Sequence, residues 1–240
     1  MFEALLTVVA FLAGGIASVA GFGIGAILTP VFALAVGTKA AVAVVSLPHL
    51  AGTLVRFWLV RGHVDRTVLI HFGLVSAAGA FAGAMLHGHA SNPLLAALLS
   101  ALLIATGVAG MAGRMEGRHF GRTGAWVAGV VSGLLGGLVG NQGGIRSAAL
   151  LGFKLKRDAF LATTTAVGLI VDAARIPLYI SNDSHFERLW LPALLMTAGV
   201  LAGTLLGARL LRRIPEAAFR RIVSGVVLAL GLFLAFRVAS

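Results

Sequence analysis

The stretch Gly136–Arg175, GGLVGNQGGIRSAALLGFKLKRDAFLATTTAVGLIVDAAR, sets polar groups into the middle of two apolar runs. Asn141, Gln142 and Arg146 belong to a glycine-rich break between them, and Asp172 and Arg175 lie well inside the second run. Ionisable side chains are costly at membrane depth. If these runs cross a bilayer, each such residue marks a functional site.

Composition makes the bilayer the expected solvent. The 240 residues are 59% hydrophobic and only 11% charged, against about 25% charged in soluble domains, and the mean hydropathy is +1.00. The net charge of +11 falls mostly in short connections between apolar runs, where Lys and Arg orient a membrane protein and meet anionic headgroups. No aromatic–basic patch or groove-reading motif accompanies it, so nucleic acid is not expected as a partner. Absence of cysteine excludes disulfides and thiolate chemistry. The N-terminal run MFEALLTVVAFLAGGIASVAG has Glu3 in place of a basic n-region, and is expected to stay as the first helix.

Ten apolar segments follow one another. The first five are A (Phe2–Val19), B (Gly23–Val36), C (Ala40–Val60), D (Thr67–His87) and E (Pro93–Ala112). The second five are A′ (Gly124–Val139), B′ (Gly144–Phe153), C′ (Ala159–Ile180), D′ (Leu189–Leu211) and E′ (Pro215–Val238). The primes mark an internal repeat. Gly15-Ile-Ala-Ser18 matches Gly129-Val-Val-Ser132, and Gly37-Thr-Lys39 matches Gly152-Phe-Lys154. In C, residues Ser46, His49, Thr53 and Arg56 have the spacing of Thr165, Gly168, Asp172 and Arg175 in C′, which puts each set on one helical face.

Charge in the connections relates the halves. Arg61 and Arg66 follow C, Arg114, Arg118 and Arg122 follow E, Lys154, Lys156 and Arg157 precede C′, and Arg209, Arg212, Arg213, Arg220 and Arg221 join D′ to E′. All these connections should be cytoplasmic. The connections HGHASN after D and SNDSHFE after C′ lack Lys and Arg and should face outward, with both termini. Equivalent connections then lie on opposite sides, as in inverted-repeat transporters whose sites lie at the midplane between interrupted helices. B and B′ are too short to cross the hydrocarbon core. The expected fold is therefore all-α: one polytopic membrane bundle over residues 1–240, with inverted repeats 1–113 and 124–240 and broken or re-entrant glycine-rich helix pairs.

Most motifs have a structural reading beside the functional one. Gly21-Phe-Gly23-Ile-Gly25-Ala26 fits the dinucleotide fingerprint only superficially, since that motif needs a strand before it. No phosphate-binding Walker loop is present, which argues against an ATP-driven pump. In GNQGGIR, the backbone N–H groups opening B′, with Asn141, Gln142, Gly143 and Arg146, suit an anion; the alternative is that they merely satisfy freed backbone. Arg56 and Arg175 either contact the substrate or snorkel to the interface. Asp172 either couples transport to protons and gates the site, or pairs with Arg175. Thr163, Thr164 and Thr165 offer hydroxyls, of which Thr164 is taken to line the site, and His49 is placed in the same cavity. His87 and His89, in a connection with no further ligand, do not make a metal site. No nucleophile and base can be paired, so no enzyme activity and no cofactor are expected.

At GNQGGIRSA, FLATTTA and DAARIPLY the chain resembles the sulfite exporter TauE/SafE family, the toluenesulfonate uptake permease group. The two glycine-rich breaks and Pro30 after the first extend the likeness over nearly the whole chain. The resemblance implies a multi-pass permease of the plasma (bacterial inner) membrane, moving small sulfur-containing anions such as sulfite or organosulfonates. Secondary transport of such an oxoanion is the expected function, its partners the anion, the lipid bilayer and, optionally, further copies of itself. An uncoupled channel or facilitator and a structural or assembly protein are the alternatives.

Overall fold

The computed structural model describes residues 2–113, 122–141, 143–153, 155–182, 188–207 and 215–239. Gln142 lies outside them, as do the connection charges expected at residues 114–121, 154, 183–187 and 208–214. The described residues form ten helical segments. The first half holds α1 (Phe2–Ala20), α2 (Ile24–Val36), α3 (Thr38–Val60), α4 (Arg66–His89) and α5 (Asn92–Met111). The second half holds α6 (Arg122–Val139), α7 (Gly143–Leu151), α8 (Arg157–Asn182), α9 (Trp190–Ala202) and α10 (Glu216–Ala239). A π-turn at Leu69–Gly73 interrupts α4, and another at Gly203–Gly207 prolongs α9.

Among the described residues, six helices are long and apolar enough to cross a membrane: α1, α3, α4, α5, α8 and α10. α2 has 13 residues and α7 has 9. At helical rise these are about 20 Å and 14 Å, well short of a core about 30 Å thick. Large apolar side chains cover the outside, among them Leu59 (68% exposed) and Phe236 (71% exposed), where lipid takes the place of water.

Backbone-to-backbone packing brings the helices together. A Cβ added at Gly133 of α6 would meet the backbone of Ser76 of α4, and one at Gly79 of α4 would lie 3.0 Å from the Leu134 nitrogen of α6. The Ser76 hydroxyl donates to the Gly129 carbonyl across the same seam at 3.0 Å. α1 meets α9 in the same fashion through Gly14, Gly199 and Gly203, with Ser18 donating to the Thr204 carbonyl at 3.1 Å. Small residues are what membrane helices use to approach this closely, because lipid supplies no hydrophobic drive between them. α1 packs on α9 and α6 on α4, α3 on α9 and α8 on α4, and α3 on α8 and α5 on α10, and all six pairs join the first half to the second.

The glycine breaks meet at the centre. α1 and α6 each stop at a glycine in the left-handed region, Gly21 (φ 79) and Gly140 (φ 72), a conformation that closes helix C-termini and disfavours any other residue. Gly21 N–H bonds the Ala17 carbonyl at 2.9 Å, and Gly140 N–H bonds the Gly136 carbonyl at 3.1 Å. A Cβ on Gly25 would lie 2.6 Å from the Gly140 carbonyl oxygen, and one on Gly143 would lie 2.5 Å from Phe22 Cβ. The two irregular segments thus shield one another inside the protein, as polar backbone at that depth requires.

One boundary departs from expectation in a way that matters. The D helix does not stop before a polar connection but continues to His89, so His87 and His89 are helical. His87 is buried, its Nδ1 lies 2.8 Å from the Leu138 carbonyl, and its ring packs 4.9 Å from that of Tyr179. The α4–α6 seam yields a test. Gly133→Leu should lower stability by about 1–3 kcal/mol or more through overpacking. Gly225→Leu on α10, where nothing lies within 4 Å, should leave it nearly unchanged, as read from thermal unfolding in detergent micelles.

Candidate functional site

The two helical stripes face inward and each other. Ser46, Thr53 and Arg56 of α3 are buried, as are Thr165, Gly168, Asp172 and Arg175 of α8. Neither arginine snorkels: Arg56 is 6% exposed and Arg175 is 1% exposed. Their heads turn instead to the broken helices. Arg56 Nη1 donates to the Ala17 carbonyl at 2.7 Å, and Arg175 Nη1 donates to the Gly136 carbonyl at 2.7 Å, in both cases 39 residues back along the chain. Ala17 and Gly136 stand in the last turns of α1 and α6, where the helix dipole is negative, and each carbonyl already accepts from the glycine four residues on, so the arginine is its second donor. The two arginines therefore set positive charge against the negative ends of both broken helices.

Asp172 is fully engaged. Its Oδ1 accepts from Arg175 Nε at 3.0 Å and lies 2.8 Å from Arg175 Nη2. Its Oδ2 lies 2.7 Å from His49 Nδ1 on α3. The expected pairing with Arg175 is present, and His49 is a second partner. Tyr179, the only tyrosine in the chain, sits one turn beyond Arg175 and donates its hydroxyl to the Gly137 carbonyl.

Arg146 is the exception. It occupies the first turn of α7, where the dipole is positive and a cation is disfavoured. It is 1% exposed, yet its Nε and Nη1 have no hydrogen-bond partner. The guanidinium fills the gap that the glycine at 168 leaves: a Cβ there would lie 3.3 Å from Nη1, 3.6 Å from Nη2 and 3.4 Å from Thr53 Cγ2. Thr53 Oγ1 in turn accepts from Arg56 Nη2 at 3.1 Å. The Thr164 hydroxyl, one turn before Gly168 on the same face of α8, is buried without a partner, as are the Ser147 hydroxyl and Arg56 Nε. Arg56, Asp172 and Arg175 are the charges acting on Arg146.

Three buried guanidiniums thus surround one carboxylate, a net surplus of positive charge in a medium where each unpaired ion costs several kcal/mol. Asn141, also buried, lies in the break beside α7, and Gly143 is the first residue of that helix. The structure therefore gathers His49, Arg56, Arg146, Asp172 and Arg175 about one centre, with Thr164 on the adjoining turn. Among the described residues no three His, Cys, Asp or Glu side chains gather into a metal site. Sequence reading passes over three contributors. Thr53 and Gly168 were visible as members of the two stripes, and Tyr179 as the lone tyrosine one turn from Arg175.

A helical membrane bundle whose interior carries a cationic centre with unmatched donors is built like a membrane transporter. The chain belongs to the sulfite exporter TauE/SafE family, whose family model matches residues 6–234, and membership makes it a membrane transporter of the sulfite-exporter type. No curated protein and no solved structure matches the chain.

Proposed function

We propose that this protein is a secondary transporter of small sulfur-containing oxoanions, sulfite or organosulfonates, coupled to an ion gradient across the plasma (inner) membrane. The observation that carries the reading is Arg146, a fully buried guanidinium at the wrong end of a helix with Nε and Nη1 unpartnered. A bound anion supplies the missing acceptor and offsets the surplus charge. Arg suits it because a planar fork donates parallel bonds to two oxygens of a sulfonate or sulfite. The N–H groups opening α7, with Gly143 the first residue of that helix, and the side chains of Asn141 and Thr164 bond the remaining oxygens. Arg56, Arg175 and His49 wall the site, and Asp172, which ties α3 to α8, gates it.

We infer further that the halves are inverted repeats and that α1–α2 and α6–α7 are broken, re-entrant pairs. Two features support this register: the arginine-to-carbonyl bond recurs at the same chain separation in both halves, and left-handed Gly21 and Gly140 stand in equivalent places. Both follow the match of C to C′ rather than that of the Gly-x-x-Ser pair. The central connection is then cytoplasmic. A cysteine introduced at position 118, in a chain with none of its own, should resist an impermeant thiol reagent in intact cells; labelling from outside contradicts the inversion.

The site itself is tested by Arg146→Lys, which keeps the charge and loses the fork. Anion binding to purified protein should weaken by about 1–3 kcal/mol, the scale of a charged hydrogen bond, with membrane insertion unchanged. Equal affinity of the two proteins for every sulfonate or sulfite that binds would refute the assignment.

A further inference from the structure

We propose that His49 is the proton-binding group of this transporter, taking up one proton at Nε2 when an anion occupies the Arg146 site. The inference rests on the anion reading above and adds to it the coupling ion and the group that carries it.

Geometry selects the atom. The Asp172 carboxylate is an acceptor, so His49 Nδ1, 2.7 Å from Oδ2, must carry hydrogen and donate. In the neutral imidazole the remaining lone pair is then on Nε2. Among the described residues no hydrogen bond occupies that nitrogen, and the side chain keeps 12% of its surface accessible, which leaves the lone pair open to a proton. Asp172 does not offer such a place. Both its oxygens are held, Oδ1 by Arg175 and Oδ2 by His49, and its side chain has 0% exposure. Asp172 is a positioning residue that fixes the tautomer of His49.

Charge gives the sign. The groups that act on His49 are Asp172 and Arg175 of α8 and Arg56 of its own helix, with Arg146 of α7 in the same cluster. The other elements packed on α3 bring no charge near it: α2, α5 and α9 contain no Asp, Glu, Lys, Arg or His. In α6 the sole ionisable residue is Arg122, at its far end, and Arg61 and His63 follow α3 on the exposed surface. Arg175 and Arg56 oppose a further positive charge on His49 against the pull of Asp172, and the site as a whole holds three guanidiniums for one carboxylate. An anion beside Arg146 offsets that surplus, so anion and proton bind together, and by linkage each strengthens the other. The two therefore cross the membrane in the same direction. Sulfonate and proton are the cargo of one occupied state, while the empty carrier returns without the proton.

The test is calorimetric titration of the purified full-length chain in detergent with methanesulfonate, whose charge is constant across the pH range used. Affinity should rise on acidification by up to about tenfold per pH unit, with one proton taken up per anion, read from the dependence of the binding heat on buffer. In His49→Gln, or in His49→Asn if the first does not fold, the pH slope and the proton uptake should both vanish, whatever the absolute affinity. Binding by the wild type with a flat pH profile and no uptake overturns the proposal and leaves the Arg146 site standing. Uptake that survives in the folded His49 variant overturns it too, by assigning the proton elsewhere. If methanesulfonate, sulfite and larger sulfonates all fail to bind at every pH, the anion reading itself falls, and this inference with it.

Discussion

Burying guanidinium groups inside a bundle immersed in hydrocarbon is the constraint on which the rest of this structure depends. A cation there needs acceptors that water would otherwise supply. Two of the three arginines buried among the described residues find them at the ends of broken helices. Arg56 and Arg175 donate to the Ala17 and Gly136 carbonyls, in the last turns before α1 and α6 stop. The breaks gain as well, because a cation at the negative end of a helix is favourable. Arg175 is further matched by Asp172. Arg146 stands outside this scheme, at a helix start that has donors of its own to satisfy. Its unpartnered Nε and Nη1 therefore direct attention to a ligand rather than to the fold.

Close helix packing makes such a centre possible. Gly25 against Gly140 and Gly143 against Phe22 press the two breaks together, which keeps lipid from the irregular backbone. The glycine at 168 opens the space that the Arg146 guanidinium fills, where any side chain would crowd it. The long seams of α1 with α9 and α4 with α6 hold the pieces in register through backbone contact. Lining of the site and closeness of the helices thus come from the same choice of small residues.

Much of this was legible in the sequence because it is local. The spacing of Ser46, His49, Thr53 and Arg56, and its recurrence through Arg175, is a helical face whatever the tertiary structure, and the glycine runs announce the breaks. The lengths of α2 and α7 followed from the same runs. What was not legible is pairing across helices. Asp172 reads as a partner of Arg175, one turn away, but its bond to His49 spans 123 residues and nothing in the spacing announces it. The role of Arg175 as a cap on α6 and the hold of Tyr179 on Gly137 were hidden for the same reason. His87 looked like part of a connection because HGHASN is polar; packing on Tyr179 and on the Leu138 carbonyl carries the helix through it.

The central claim is that Arg146 is a positive charge waiting for an anion. Crystals of the protein soaked with selenate, a tetrahedral oxoanion that carries an anomalous scatterer, test it directly. The account predicts a selenium peak within hydrogen-bond reach of Arg146 Nε and Nη1, beside the first turn of α7. Peaks confined to arginines of the surface connections, with Arg146 left without an anion, would contradict it.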